Sequence, residues 1–177
     1  MSKLLLTWTI LLVSATSWAA ASAKPDYTEI FQQASRQYDL PKYLLQAICI
    51  VETGLRPNLI NVNDGGPGQH SFGICQVRYS TALELGFAPN PNCVTLSSTS
   101  CRLLQVGVNI NLAAKYLDKQ MRRYSGDLEK AISAYNAGSA TNRNPRYVAK
   151  VLGIYWRLKT AGASLEELDI FNSGTRE

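Results

Sequence analysis

One histidine, two methionines, four phenylalanines and no run of like charge occur in the 177 residues, and these scarcities remove whole classes of function. His70 stands alone and no two cysteines are close neighbours, so the paired Cys and His ligands of a zinc site are missing. The same isolation denies Ser71 a Ser/His catalytic pair, and His70 is expected at a solvated or rim position. Arg122 and Arg123 are the only adjacent basic residues, and charge scattered in this way does not make a nucleic-acid footprint. Strand-like alternation, internal repeats and linkers are also lacking. Neither a metal nor a cofactor is expected.

There is one long apolar run, and it lies at the start. Lys3 precedes an apolar stretch over residues 4–13, and Ala21-Ser22-Ala23 offers a small-residue cleavage site, which together read as a signal peptide over residues 1–23. The stretch is short for a bilayer, so no stable membrane span is expected after cleavage. No cysteine follows it to carry a lipid. Residues 24–177 are then one domain's length, bound for the periplasm or for secretion. The formal net charge of +5 falls by one with Lys3, a mild surplus that suits an anionic surface or polymer outside the cytoplasm. Four cysteines in an exported chain are expected to form bridges. Cys93 and Cys101 bracket a Thr/Ser-rich loop and are expected to pair; Cys49 and Cys75 then remain for each other, unless both are buried free thiols.

Helical periodicity dominates the remainder. Asp26 with Glu29 makes a capping-box-like start, followed by Ile30, Phe31, Ala34 and Tyr38 at helical spacing, with an end near Asp39. A second helix is expected over residues 41–53, opened by Pro41 and stopped by Gly54. Periodicity then disappears up to Val77, where Asn, Gly and Pro accumulate, densest at residues 63–68; a loop or a small hairpin is expected there. Residues 79–85 read as helix until Gly86, Pro89 and Pro91 break it. The longest amphipathic pattern runs through Leu103, Val106, Ile110, Ala113, Leu117 and Met121 to Gly126 and is expected to be the central helix. Asp127 caps a helix carrying Leu128, Ala131, Ile132 and Tyr135, Asn144-Pro145 opens another with Val148, Val151, Leu152 and Tyr155, and Ser164 with Glu167 caps a final turn. The fold class is mainly α.

Glu52 is out of place in this pattern. Leu45, Ile48 and Glu52 stand at i, i+3 and i+7, so an acid occupies a position on the apolar stripe. Loss of water and the negative end of the helix dipole both favour its neutral form, which prepares a general acid.

Three segments follow one another in order: Glu52-Thr53-Gly54, Ser71-Phe72-Gly73-Ile74-Cys75-Gln76-Val77 and Ala134-Tyr135-Asn136-Ala137-Gly138. Between the last two lie Asn109-Ile110, Ala113-Ala114 and Tyr116-Leu117. Together they resemble the soluble lytic transglycosylase family, the peptidoglycan-cleaving relatives of goose-type lysozyme, over roughly residues 38–156. Thr53 stands where the family pattern has serine, and Ile74-Cys75 where it has Leu-Met. The spacing between Glu52 and Gln76 is similar to that of the small enzymes that accompany secretion, conjugation and pilus machines.

The resemblance implies a lysozyme-like (goose-type) domain over residues 24–177, with an irregular loop or small hairpin at the active site. It also implies a lytic transglycosylase acting on peptidoglycan glycan strands, with a secretion, conjugation or pilus apparatus as its companion. Glu52 would be the sole catalytic acid and base, cleaving the β-1,4 bond between N-acetylmuramic acid and N-acetylglucosamine to leave a 1,6-anhydro end. Ser71, Gln76, Tyr135 and Asn136 would bind substrate: Gln76 through an amide that donates and accepts, Tyr135 through a sugar-facing ring and a hydroxyl that reaches Glu52. Gly73 and Gly138 are read as backbone permissiveness beside the groove. Two alternatives stay open. If Asp64 held a water opposite Glu52, the protein would be an inverting, hydrolysing muramidase; without catalysis it would be a peptidoglycan-binding component of an envelope machine.

Overall fold

The computed structural model describes residues 26–62, 68–95, 101–140 and 144–161. The signal peptide, Asp64 and most of its turn, the inside of the 93–101 loop and the final turn at Ser164 lie outside the described residues. Seven α-helices and three two-residue strands are present in the described part: α1 (Thr28–Gln37), α2 (Leu44–Thr53), β1 (Ile60–Asn61), β2 (Ser71–Phe72), β3 (Val77–Arg78), α3 (Tyr79–Glu84), α4 (Pro91–Val94), α5 (Val106–Arg123), α6 (Leu128–Ala137) and α7 (Pro145–Ala161). A 3-10 turn, Arg102–Leu104, leads into α5.

The core is a helix-on-helix core, with α2 packed on α7, and α5 on both α6 and α1. Leu44, Leu45, Ala47, Ile48 and Cys49 of α2 are all fully buried, as are Ile110, Ala113, Ala114 and Leu117 of α5. The sequence pattern makes α5 the central helix, yet α2 is sunk more completely, because its first half is apolar apart from Gln46, which is itself buried. Burying one such aliphatic side chain stabilises the fold by about 1.5–3 kcal/mol. On α7, Val148, Val151 and Tyr155 are buried as the spacing predicts, with Leu158 extending the stripe.

Some helix boundaries differ from the sequence reading. Tyr27, not Asp26, holds the N-cap position of α1; Asp26 Oδ1 accepts from the Thr28 N–H at 2.8 Å, and Glu29 pairs with Arg36 across the helix surface at 2.8 Å. The α1 helix stops at Gln37 because Asp39 takes up a left-handed φ of 50°. The start of α2 falls after Pro41, as Tyr43 is also left-handed and the Leu44 N–H closes a turn onto the Pro41 carbonyl. Leu103 lies in the 3-10 turn rather than in α5. Asp127 caps α6 as expected, accepting from the Lys130 N–H at 3.0 Å. Between α2 and α3 the irregular region forms a small antiparallel sheet in the order β1-β2-β3, with Ile60 opposite Phe72 and Phe72 opposite Val77.

Candidate active site

Glu52 is the penultimate residue of α2, where the buried face of the helix emerges from the core. Leu45 and Ile48 on its stripe are fully buried, whereas Glu52 is half-buried. Gly54 ends the helix with φ 63°, a conformation that costs glycine little. The acid therefore sits at the edge of the core, opening into a cavity of about 330 Å³. Ser71, Gln76, Tyr135 and Asn136 line the same cavity, so the four residues named from the sequence as substrate contacts converge with Glu52. Asn61, Arg78, Thr81 and Tyr116 also line it.

One wall is the chain from β2 to β3, fastened from behind at successive residues. Asn109 of α5, completely buried, donates from Nδ2 to the Phe72 and Leu103 carbonyls, both at 2.8 Å, and accepts the Cys75 N–H at 2.9 Å. Thr53 donates its hydroxyl to the Ile74 carbonyl at 2.7 Å, so the β-branched substitute for serine retains a bracing hydroxyl. The disulfide between Cys49 and Cys75 ties this wall to α2 one turn before Glu52, and Cys93 is bridged to Cys101, the pairing read from the sequence. Gly73 has φ 73°, and a Cβ there would stand 2.6 Å from Asn109 Nδ2 and 2.7 Å from the Leu103 carbonyl. Its absent side chain makes room for the Asn109 clamp, which is more than the backbone freedom the sequence suggests.

A second wall is built of rings. Tyr135, near the end of α6, is buried and meets the Tyr116 ring at a tilt, 5.4 Å between ring centroids. Its hydroxyl donates to the Cys75 carbonyl at 2.9 Å, not to Glu52 as the sequence reading has it. The phenol that donates to Glu52 belongs to Tyr147, whose Oη lies 2.6 Å from Glu52 Oε1. Burial first, then the charge of Glu52, pushes both phenols well above the ordinary tyrosine range, and for Tyr147 the hydrogen bond to Glu52 adds to the shift. Both therefore remain neutral donors at physiological pH.

Sequence reasoning missed Tyr147, although it stands four residues before Val151 and eight before Tyr155 on the apolar stripe of α7. Asn144 orients it, accepting the Tyr147 N–H at 3.1 Å and donating to Asn136 Oδ1 at 3.4 Å. Asn136 thus meets the start of α7 as well as the cavity. Gln76 has φ 51°, and its Nε2 donates to the Gly73 and Leu59 carbonyls at 3.0 and 3.2 Å. Both amide N–H groups are engaged in bracing the turn, so only the amide oxygen is left to offer a ligand, half of what the sequence suggests. His70 also differs from expectation: only 6% exposed, it is buried rather than solvated at a rim, and its carbonyl accepts the Tyr79 N–H at 3.0 Å. Gly138 ends α6 with φ 72° at the cavity mouth.

A helix-borne acid facing a clamped loop and a tyrosine wall, on a mainly helical scaffold, defines a lysozyme-like transglycosylase domain. Residues 29–153 match the family model of the transglycosylase SLT domain, and the chain belongs to that family. It is 30% identical over 132 residues to Protein IpgF of Shigella flexneri, covering 73% of this chain and 78% of the relative, and equally similar to Protein IpgF of Shigella sonnei. An inactive mutant of lytic transglycosylase Slt from Pseudomonas aeruginosa shares the fold, with a TM-score of 0.53 and 20% identity over 72% of this chain. This chain spans 23% of the length of that protein.

Proposed function

We propose that the protein is a peptidoglycan lytic transglycosylase with Glu52 as its only catalytic acid and base. The observation that carries this reading is the placement of Glu52 in a cavity whose other described lining residues include no carboxylate. A retaining or inverting glycosidase ordinarily needs two carboxyl groups. One suffices when the substrate supplies the nucleophile. Protonated Glu52 gives its proton to the glycosidic oxygen, and the C1–O bond to N-acetylglucosamine breaks. The N-acetyl carbonyl of the muramic residue stabilises the cationic C1, after which ionised Glu52 takes the proton of the C6 hydroxyl while O6 closes on C1. The product is a 1,6-anhydro end, no water is consumed, and Glu52 returns to its starting protonation state.

The chain's other residues position these events. Tyr147 holds Oε1 of Glu52 and so fixes the plane of the carboxyl. Tyr135 and Tyr116 give a sugar ring an aromatic wall, while Ser71, Asn136 and the Gln76 amide oxygen provide polar contacts for N-acetyl and hydroxyl groups. Export by a signal peptide over residues 1–23 to the periplasm or beyond fits the two disulfides. A secretion, conjugation or pilus apparatus is the companion we propose, since local opening of the wall is what such a machine requires. No described helix is long and apolar enough to cross a membrane.

Glu52→Gln keeps the size of the side chain and removes its transferable proton. Clearing of purified sacculi should fall by roughly a thousandfold with the fold retained. A variant with most of the wild-type rate would show that Glu52 is not the acid. Failure of the wild type to clear sacculi, despite binding them, would favour a non-catalytic peptidoglycan-binding role.

A further inference from the structure

The mechanism above leaves one charged residue of the cavity without a task. Among the described lining residues Glu52 and Arg78 carry the only formal charges, and the glycan chemistry uses just the first. Arg78 ends β3, with its backbone paired opposite Ser71, so its position relative to the cavity is set by the sheet. Its side chain is exposed, and among the described residues it forms no ion pair. A guanidinium carried on a sheet-held backbone at a groove wall is a site for a carboxylate, which it can engage in a two-pronged hydrogen bond. Its charge already reaches across the cavity: the Tyr116 phenol is raised by burial and by Glu84, and drawn the other way by Arg123 and Arg78.

A disaccharide of N-acetylglucosamine and N-acetylmuramic acid whose lactyl group is in amide linkage is neutral. The carboxylates of peptidoglycan belong to the stem peptide, which is attached to the muramic residue at the scissile bond. We propose that Arg78 is a specificity-determining residue that binds a stem-peptide carboxylate, so that peptide-bearing strands are preferred to stripped ones. This rests on the peptidoglycan reading of the site and narrows its substrate. Thr81 and Asn61, on the same cavity, give the peptide backbone further polar contacts.

The test compares kcat/KM on two substrates, peptide-bearing glycan strands and the same strands stripped by an amidase, for the wild type, Arg78→Gln and Arg78→Lys. The wild type should prefer the peptide-bearing strands. Loss of one charge-assisted contact should cost Arg78→Gln about tenfold more on those strands than on stripped ones, and Arg78→Lys should recover part of the preference. Raising the salt should erode the wild-type preference, since this contact is exposed. An equal loss on both substrates, or a wild type without preference, overturns the inference while the transglycosylase reading stands. A wild type that cleaves neither substrate overturns that reading, and the substrate preference with it, which separates the two failures.

Discussion

The two walls of the cavity are held in different ways. Behind the wall formed by residues 71–78 stand a disulfide, the buried Asn109 clamp and the Thr53 hydroxyl, which together grip residues 72, 74 and 75. On the other wall, Tyr135 and Tyr116, with Tyr147 behind them on Glu52, are held by packing and by single phenolic hydrogen bonds. The first wall has little regular structure of its own, its strands being two residues each, so its shape is imposed by side chains reaching in from α2 and α5. The second inherits its shape from the regular helices that carry its rings, α5, α6 and α7. Changes behind the first wall should therefore be paid in stability, and changes in the second chiefly in rate.

The largest effect is expected for Asn109→Leu. It leaves the Cys75 N–H and the Phe72 and Leu103 carbonyls without their partner in a fully buried place, at a cost of about 4 kcal/mol, or roughly 10 °C in Tm. Thermal unfolding followed by circular dichroism would measure it, and a shift of a degree or two would show that the loop holds itself. Gly73→Ala should act in the same direction, since its Cβ would collide with the Asn109 amide and its φ is left-handed.

Removing the Cys49–Cys75 bridge by paired alanine substitutions should cost about 3 kcal/mol. The noncovalent clamps remain, so activity at a temperature well below Tm should survive in part. Complete loss of activity in a folded variant would mean that the bridge, rather than Asn109 and Thr53, sets the loop's shape.

Tyr147→Phe should show the opposite signature. A stability change of about 1 kcal/mol or less is expected, with a fall of about tenfold in kcat on sacculi, because the lost hydrogen bond reaches a carboxyl group. For Tyr135, Phe should be much milder than Ala, which opens a cavity and costs about 3 kcal/mol. Equal rates for wild type, Tyr135→Phe and Tyr135→Ala would remove that ring from the site.

The smallest effect appears only in alkali. Folded-state values for Tyr135 and Tyr147 lie well above the ordinary 10.0, so the fold favours the neutral phenols. Their contribution is fully present below about pH 10 and is lost as pH rises past it toward the folded-state values. Denaturant midpoints measured upward from pH 9 should fall, and less steeply in Tyr135→Phe. An unchanged slope would mean that the phenols are not as shielded as the structure has them.

The same contrast governs what the sequence discloses. Helices with a 3.6-residue stripe, such as α5 and α7, are legible because burial on one face writes itself into spacing. Glu52 is legible as an acid on such a stripe. The clamped wall is not, since its strands are too short for alternation and its ties are single side chains from distant elements. Asn109 stands in a recognisable motif, but its spacing does not say that it grips residues 72 and 75. Tyr147 was hidden by conformity: as a tyrosine on an apolar face, it looks like any core residue until its hydroxyl is seen beside Glu52. The misplaced Tyr135 hydroxyl and the engaged Gln76 amide have a common cause, because sequence names a group's capacity to bond and only the fold selects its partner.

The central claim is that Glu52 acts alone and that the muramic C6 hydroxyl, not water, closes the reaction. Mass spectrometry of muropeptides released from purified sacculi in oxygen-labelled water tests it most directly. The account predicts 1,6-anhydromuramic ends without incorporated label, and none of these products from Glu52→Gln; reducing muramic ends carrying the label would contradict it and make the protein a hydrolase.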